Sequence, residues 1–90
     1  MPGLPSNAVE SFVAECFWPD VSDADLAALD RRIKRAVSEL DPGAPLRYLG
    51  SILLRGDEVV LCRFEGTAQD VHDVAERAAI PFERILAAAE

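Results

Sequence analysis

Residues 46–65, Leu-Arg-Tyr-Leu-Gly-Ser-Ile-Leu-Leu-Arg-Gly-Asp-Glu-Val-Val-Leu-Cys-Arg-Phe-Glu, hold two apolar runs on either side of a Gly-Asp pair. Runs of branched and aromatic residues bounded by turn residues read as strands, and Gly56-Asp57 joins them into a hairpin. With those two as the loop, Arg55 faces Glu58, Leu54 faces Val59, Ile52 faces Leu61, Gly50 faces Arg63 and Tyr48 faces Glu65. The alternate set pairs Leu53 with Val60, Ser51 with Cys62 and Leu49 with Phe64. Successive side chains of a strand point to opposite faces, so a slip of one residue exchanges the two sets. The second set is almost wholly apolar and is expected to carry the helices. The first mixes Ile52, Leu54, Val59 and Leu61 with Tyr48, Arg63 and Glu65.

Upstream, residues 10–18 contain SFVAECFW, bounded by Pro19-Asp20, and read as another strand. Phe12, Ala14, Cys16 and Trp18 share one face; Val13, Glu15 and Phe17 share the other. Ser22, with Asp25 three residues on, forms a short-armed capping box that starts a helix, and Asp23 and Asp25 suit its positive end. Leu26, Leu29, Ile33, Ala36, Val37 and Leu40 recur at helical spacing, and Asp41-Pro42-Gly43 stops the helix. Arg31, Arg32, Lys34 and Arg35 fall mainly off that apolar stripe and read as a solvated helix face, with an anion patch as the alternative. Thr67 caps a second helix with Val71, Val74, Ala75 and Ala78 inward, and Ile80-Pro81 breaks it. For residues 84–88 alanine propensity argues helix, whereas the strand-helix-strand-strand-helix order before them argues a fourth strand; the strand reading is taken.

The resulting βαββαβ order is the ferredoxin-like split motif, an α+β fold with both helices on one face of an antiparallel sheet. Residues 9–90 form one such domain, and residues 1–8, rich in proline and small residues, are expected to be a flexible tail. The remaining sheet face is too apolar for water, so a homodimer that packs two sheets into an α/β barrel is expected.

Composition narrows function by exclusion. The 90 residues carry 16 acids and 9 Lys and Arg, a formal net charge of −7. That balance argues against a phosphate-backbone partner such as nucleic acid. No apolar run is long enough to span a membrane. Residues 1–5 lack the basic and apolar segments of a signal peptide, so a cytoplasmic location is expected. Cys16 and Cys62 read as buried free thiols, close together on neighbouring strands. The chain has no phosphate-binding glycine motif, no GxSxG and no CxxC.

Three blocks, FVAECFWPDVSDADL, LRYLGSILLRGDEVVLCRFEG and AERAAIPFERI, together resemble a small bacterial family of ferredoxin-like, dimeric α+β proteins, largely of unknown function. Some members of that family are labelled nickel-binding. The resemblance covers residues 10–90 and implies the same fold, a dimer, and nickel or another divalent metal as a ligand, without mapping a metal site onto particular residues.

The residues themselves offer two sites. Glu15 and Arg63 are charges in mid-strand among apolar neighbours, and buried charges are seldom left without a partner. One reading makes them an ion pair fixing dimer register. The other makes Glu15, Tyr48 and Arg63 a ligand-binding pocket, with Arg63 holding an anion or carbonyl and Glu15 or Tyr48 as base or acid. His72 and Glu76, four apart on one helix, can place two ligands on a cation, fewer than a divalent metal usually takes. The reading favours a dimeric module binding a small metabolite or metal. The alternatives are a cofactor-free isomerase or cyclase with its pocket on the open sheet face, and a purely structural interaction domain.

Overall fold

A computed structural model of the chain describes residues 9–88; the tail expected over residues 1–8 lies outside them. The elements are β1 (Glu10–Phe17), α1 (Asp23–Ser38), β2 (Arg47–Leu54), β3 (Val59–Gly66), α2 (Ala68–Arg77) and β4 (Arg84–Ala88). They form one sheet in the order β2-β3-β1-β4, with every neighbouring pair antiparallel. This is the ferredoxin-like α+β fold read from the sequence, including the fourth strand, where sheet pairing overrides the helix propensity of alanine.

Local chemistry explains the boundaries. Ser22 accepts from the Asp25 amide at 3.0 Å, and Asp25 accepts from the Ser22 amide at 3.0 Å, so both halves of the capping box are made. Thr67 accepts from the Asp70 amide at 3.1 Å and starts α2 in the same way. The end of α2 is a Schellman motif: the Ile80 amide bonds the Ala75 carbonyl at 3.0 Å, and the Ala79 amide bonds that of Glu76 at 3.1 Å. Ala79 takes the left-handed conformation this requires, at φ 54°. The helix has therefore already turned back before Pro81 acts on Ile80.

The core lies between the sheet and the helices. Phe12, Ala14 and Cys16 from β1 and Val60, Cys62 and Phe64 from β3 meet Leu29, Ile33 and Ala36 of α1 and Val71, Val74 and Ala75 of α2. Cys16 and Cys62 are fully buried, free and side by side. The neighbouring Cys16 thiol, with burial, pushes the Cys62 thiol up.

The hairpin departs from the sequence reading at one point. Leu54, Leu53, Ile52, Ser51 and Gly50 oppose Val59, Val60, Leu61, Cys62 and Arg63 as expected, but the register shifts between Tyr48 and Gly50. Leu49 is the extra residue of a β-bulge, so Tyr48 opposes Phe64, and Arg47 opposes Glu65. The pairings of Tyr48 with Glu65 and of Leu49 with Phe64 are corrected accordingly. Tyr48 moves to the helix face, where its ring lies 5.3 Å from that of Phe64. Residues 55–58 form the turn, in which the Asp57 amide bonds the Leu54 carbonyl at 3.1 Å and Glu58 adopts φ 54°. Arg55 and Glu58 are thus turn residues rather than a cross-strand pair. Among the described residues no helix is long and apolar enough to cross a membrane.

Candidate functional site: the open sheet face

With both helices packed on one side of the sheet, alternate residues of each strand are left on the other. Val13, Glu15 and Phe17 of β1, Val59, Leu61, Arg63 and Glu65 of β3, Ile52 and Leu54 of β2, and Arg84 and Leu86 of β4 occupy this face. Phe17 is 54% exposed, and Ile52, Leu54 and Leu86 are each close to 40%. These are large apolar side chains on one sheet face, flanking Val13, Val59 and Leu61 of the central strands rather than scattered, which sets them apart from ordinary surface hydrophobics.

The charges on the face are placed by strand register. Glu15 opposes Leu61 on one side and Arg84 on the other. Its carboxylate accepts from Arg84 Nε at 2.8 Å. Arg63 opposes Val13 and turns toward β2, where Nη2 donates to the Leu49 carbonyl oxygen at 2.9 Å. The expected Glu15–Arg63 pair is therefore not formed: the antiparallel register offsets the two residues, and each finds a nearer partner. At the rim, Arg47 and Glu65 pair at 3.3 Å across β2 and β3.

Arg63 is the unusual member. Its Nε is buried without a hydrogen-bond partner, and among the described residues no carboxylate pairs with it. The bulge builds its seat. Gly50 sits at φ 102°, and a Cβ there would lie 3.6 Å from Arg63 Nη2, so the guanidinium lies over a residue with no side chain. Ser11, Val13, Leu49, Arg63 and Ala88 line a hollow of about 180 Å³ there. Pockets that enclose small ligands usually run to roughly 300–1,000 Å³, so one sheet supplies only part of such a site.

Tyr48 is not part of this arrangement. It lies on the opposite side of the sheet from Glu15 and Arg63, and its hydroxyl is buried with no hydrogen-bond partner. Burial pushes its phenol above the ordinary range, so it holds its proton through neutral pH. A glycine in mid-strand is itself a bulge signal, and Gly50 carries it in the sequence. Arg84 is not among the site residues expected from the sequence; its pairing with Glu15 follows once β4 is placed beside β1.

His72 and Glu76 are adjacent as their spacing predicts, with Nε2 and Oε2 3.4 Å apart on the exposed side of α2. Among the described residues no group of three or more His, Cys, Asp or Glu is placed to hold a metal ion. Trp18 packs at the edge of the core and lines a shallow hollow with Val21 and Leu53. No family profile, curated protein or solved structure matches the chain, so the family resemblance stands on the three sequence blocks alone.

Proposed function

We propose that the protein acts as a homodimer that packs through its open sheet faces and binds a small carboxylate-bearing metabolite at Arg63, under the roof of the partner sheet. The observation that carries this reading is the Arg63 guanidinium: mid-face, seated on the bulge, with Nε buried and unpartnered and with no carboxylate of its own. A planar guanidinium matches a carboxylate in bidentate geometry, and an unsatisfied buried donor favours a ligand that supplies an acceptor.

The surroundings of Arg63 support the dimer. Three strands of eight residues run roughly 26 Å and β4, of five, roughly 17 Å; at a spacing of roughly 4.8 Å they give a face of roughly 450 Å² in projection. Accessible area exceeds projected area, bringing the face toward the roughly 800 Å² per partner of a stable interface. Its charges of both signs suit a two-fold arrangement, in which the same patch meets itself.

The reading favours binding over catalysis. Glu15 is occupied by Arg84, and Tyr48 sits behind the sheet, so the acid–base groups of an isomerase or cyclase do not converge on Arg63. The test is light scattering for mass, together with thermal unfolding against a panel of small carboxylic acids. A dimer mass and a saturable rise in midpoint are expected, because a ligand of the native state alone stabilises it by linkage. Arg63→Ala should abolish the rise. A monomer at all concentrations, or a rise unchanged in the variant, overturns the proposal.

A further inference from the structure

The outward side of the helix layer carries a second concentration of charge. Arg31, Arg32, Arg35 and Arg77 line one groove of about 440 Å³ between α1 and α2, with Ala28, Ala36 and Glu39. The chain has nine Lys and Arg against 16 acids, so four guanidiniums gathered in one hollow run against its overall balance. Elsewhere, Arg63 on the sheet face apart, the cations are matched: Lys34 with Asp30 at 3.0 Å, Arg47 with Glu65 at 3.3 Å, Arg55 with Asp23 at 3.4 Å and Arg84 with Glu15 at 2.8 Å. In the groove one carboxylate, Glu39, reaches one arginine, Arg77, at 4.0 Å. Among the described residues Arg31 and Arg35 pair with none.

A purely structural account covers part of this cluster. Arg35 and Arg77 lie in the last turns of their helices, where the dipole favours cations. Arg32 closes the end of α2, donating from Nε to the Ala78 carbonyl at 2.8 Å and from Nη2 to that of Ala79 at 3.5 Å. Arg31 has no such role, yet it lies one turn from Arg35 on the same face of α1. The cluster therefore brings like charges together beyond what the helix ends require, and a multiply charged anion offsets their repulsion.

We infer that this groove binds a compact oligophosphate, either inorganic or the phosphate chain of a nucleotide, through Arg31, Arg32, Arg35 and Arg77. Guanidinium forks suit phosphate oxygens, and Arg32 is already held in place by its carbonyl bonds. Ala28 and Ala36 keep the lining shallow, so an anion can approach α1 closely. No aromatic ring lines the groove, so a base finds no stacking platform and the phosphate chain is the part recognised. A long polyanion is disfavoured, since beyond the groove a chain of net charge −7 repels it.

The test is thermal unfolding of the full chain titrated with sodium tripolyphosphate, and separately with ATP, at constant ionic strength. Saturable rises with similar midpoints for both ligands are expected, with none from matched chloride. The double variant Arg31→Gln/Arg35→Gln should weaken tripolyphosphate binding at least tenfold. Arg77→Gln, on the other helix, should show the same direction of loss and serves if the double variant does not fold. Arg63→Ala should bind tripolyphosphate as the wild type does, which separates this groove from the sheet-face site. The inference is overturned by no saturable rise, by an undiminished rise in folded groove variants, by loss of the rise in Arg63→Ala, or by a response to ATP with tripolyphosphate inert.

Discussion

At Gly50 the backbone reaches φ 102°, a conformation an L side chain adopts only under strain, and two neighbours depend on it. The bulge exposes the Leu49 carbonyl to Arg63 and turns Tyr48 under the sheet against Phe64. Gly50→Ala should therefore destabilise the protein by about 1–3 kcal/mol, the usual cost of forcing a side chain into such a region. Urea unfolding measures it; a loss under about half a kilocalorie would show that the strand accommodates a Cβ and that the bulge is soft. The added methyl would meet Arg63 Nη2 only at ordinary contact distance, so the strain falls on the backbone that presents the Leu49 carbonyl to Arg63, and the carboxylate response should weaken in the same variant.

Elements begin and end here by backbone chemistry as much as by apolar pattern. Ala79 occupies the left-handed position of the α2 Schellman motif, where glycine is the unstrained choice. Ala79→Gly should raise stability by about 1 kcal/mol, read from the denaturation midpoint at unchanged slope. An unchanged or lowered midpoint would mean that the greater freedom of glycine in the unfolded chain outweighs the relieved strain. The α1 cap makes a prediction in pH. Hydrogen bonds from the Ser22 amide and hydroxyl hold the Asp25 carboxyl below its ordinary value of 3.8. A carboxyl depressed in the folded state contributes stability above its unfolded value and loses it as pH falls through the folded one. Wild type should thus lose more stability between pH 5 and acid than Asp25→Asn does, since the Ser22 amide is the larger cause and survives any Ser22 substitution, and an NMR titration of Asp25 should show the low midpoint. Parallel acid curves for the two proteins would contradict this.

For the whole molecule the decisive feature is a sheet covered on one side. Ile52 and Leu54 stand exposed on the uncovered side beside Leu61 and Val59. In the proposed dimer, Ile52→Glu would bring an unpaired charge into the apolar interface from each protomer, while leaving the isolated fold intact. The variant should be a folded monomer by light scattering and circular dichroism, and the wild type should be a dimer. A dimer of unchanged mass would place the interface elsewhere. Because the face is largely apolar, wild-type association should change little between low and high salt, whereas oligophosphate binding on the helix side should fall steeply.

The residues by themselves determined the elements and their order. Periodicity of two or of nearly four, with Ser22 and Thr67 as caps, is local chemistry that needs no partner to be read. The ferredoxin-like topology then followed from the order of the elements, and the topology, rather than propensity, decided that Arg84–Ala88 is a strand. Which charged side chains meet was not legible in the same way. The choice of Arg84 over Arg63 as the partner of Glu15 turns on a two-residue offset between strands distant in sequence, and the passage of Tyr48 from one face to the other on one extra residue in the hairpin. Those offsets are set by the packing of all the strands at once, and one bulge reverses the side on which every residue beyond it lies. The gathering of Arg77 with Arg31, Arg32 and Arg35 has the same origin: Arg77 belongs to another helix, and only the packing of α2 against α1 brings the four together.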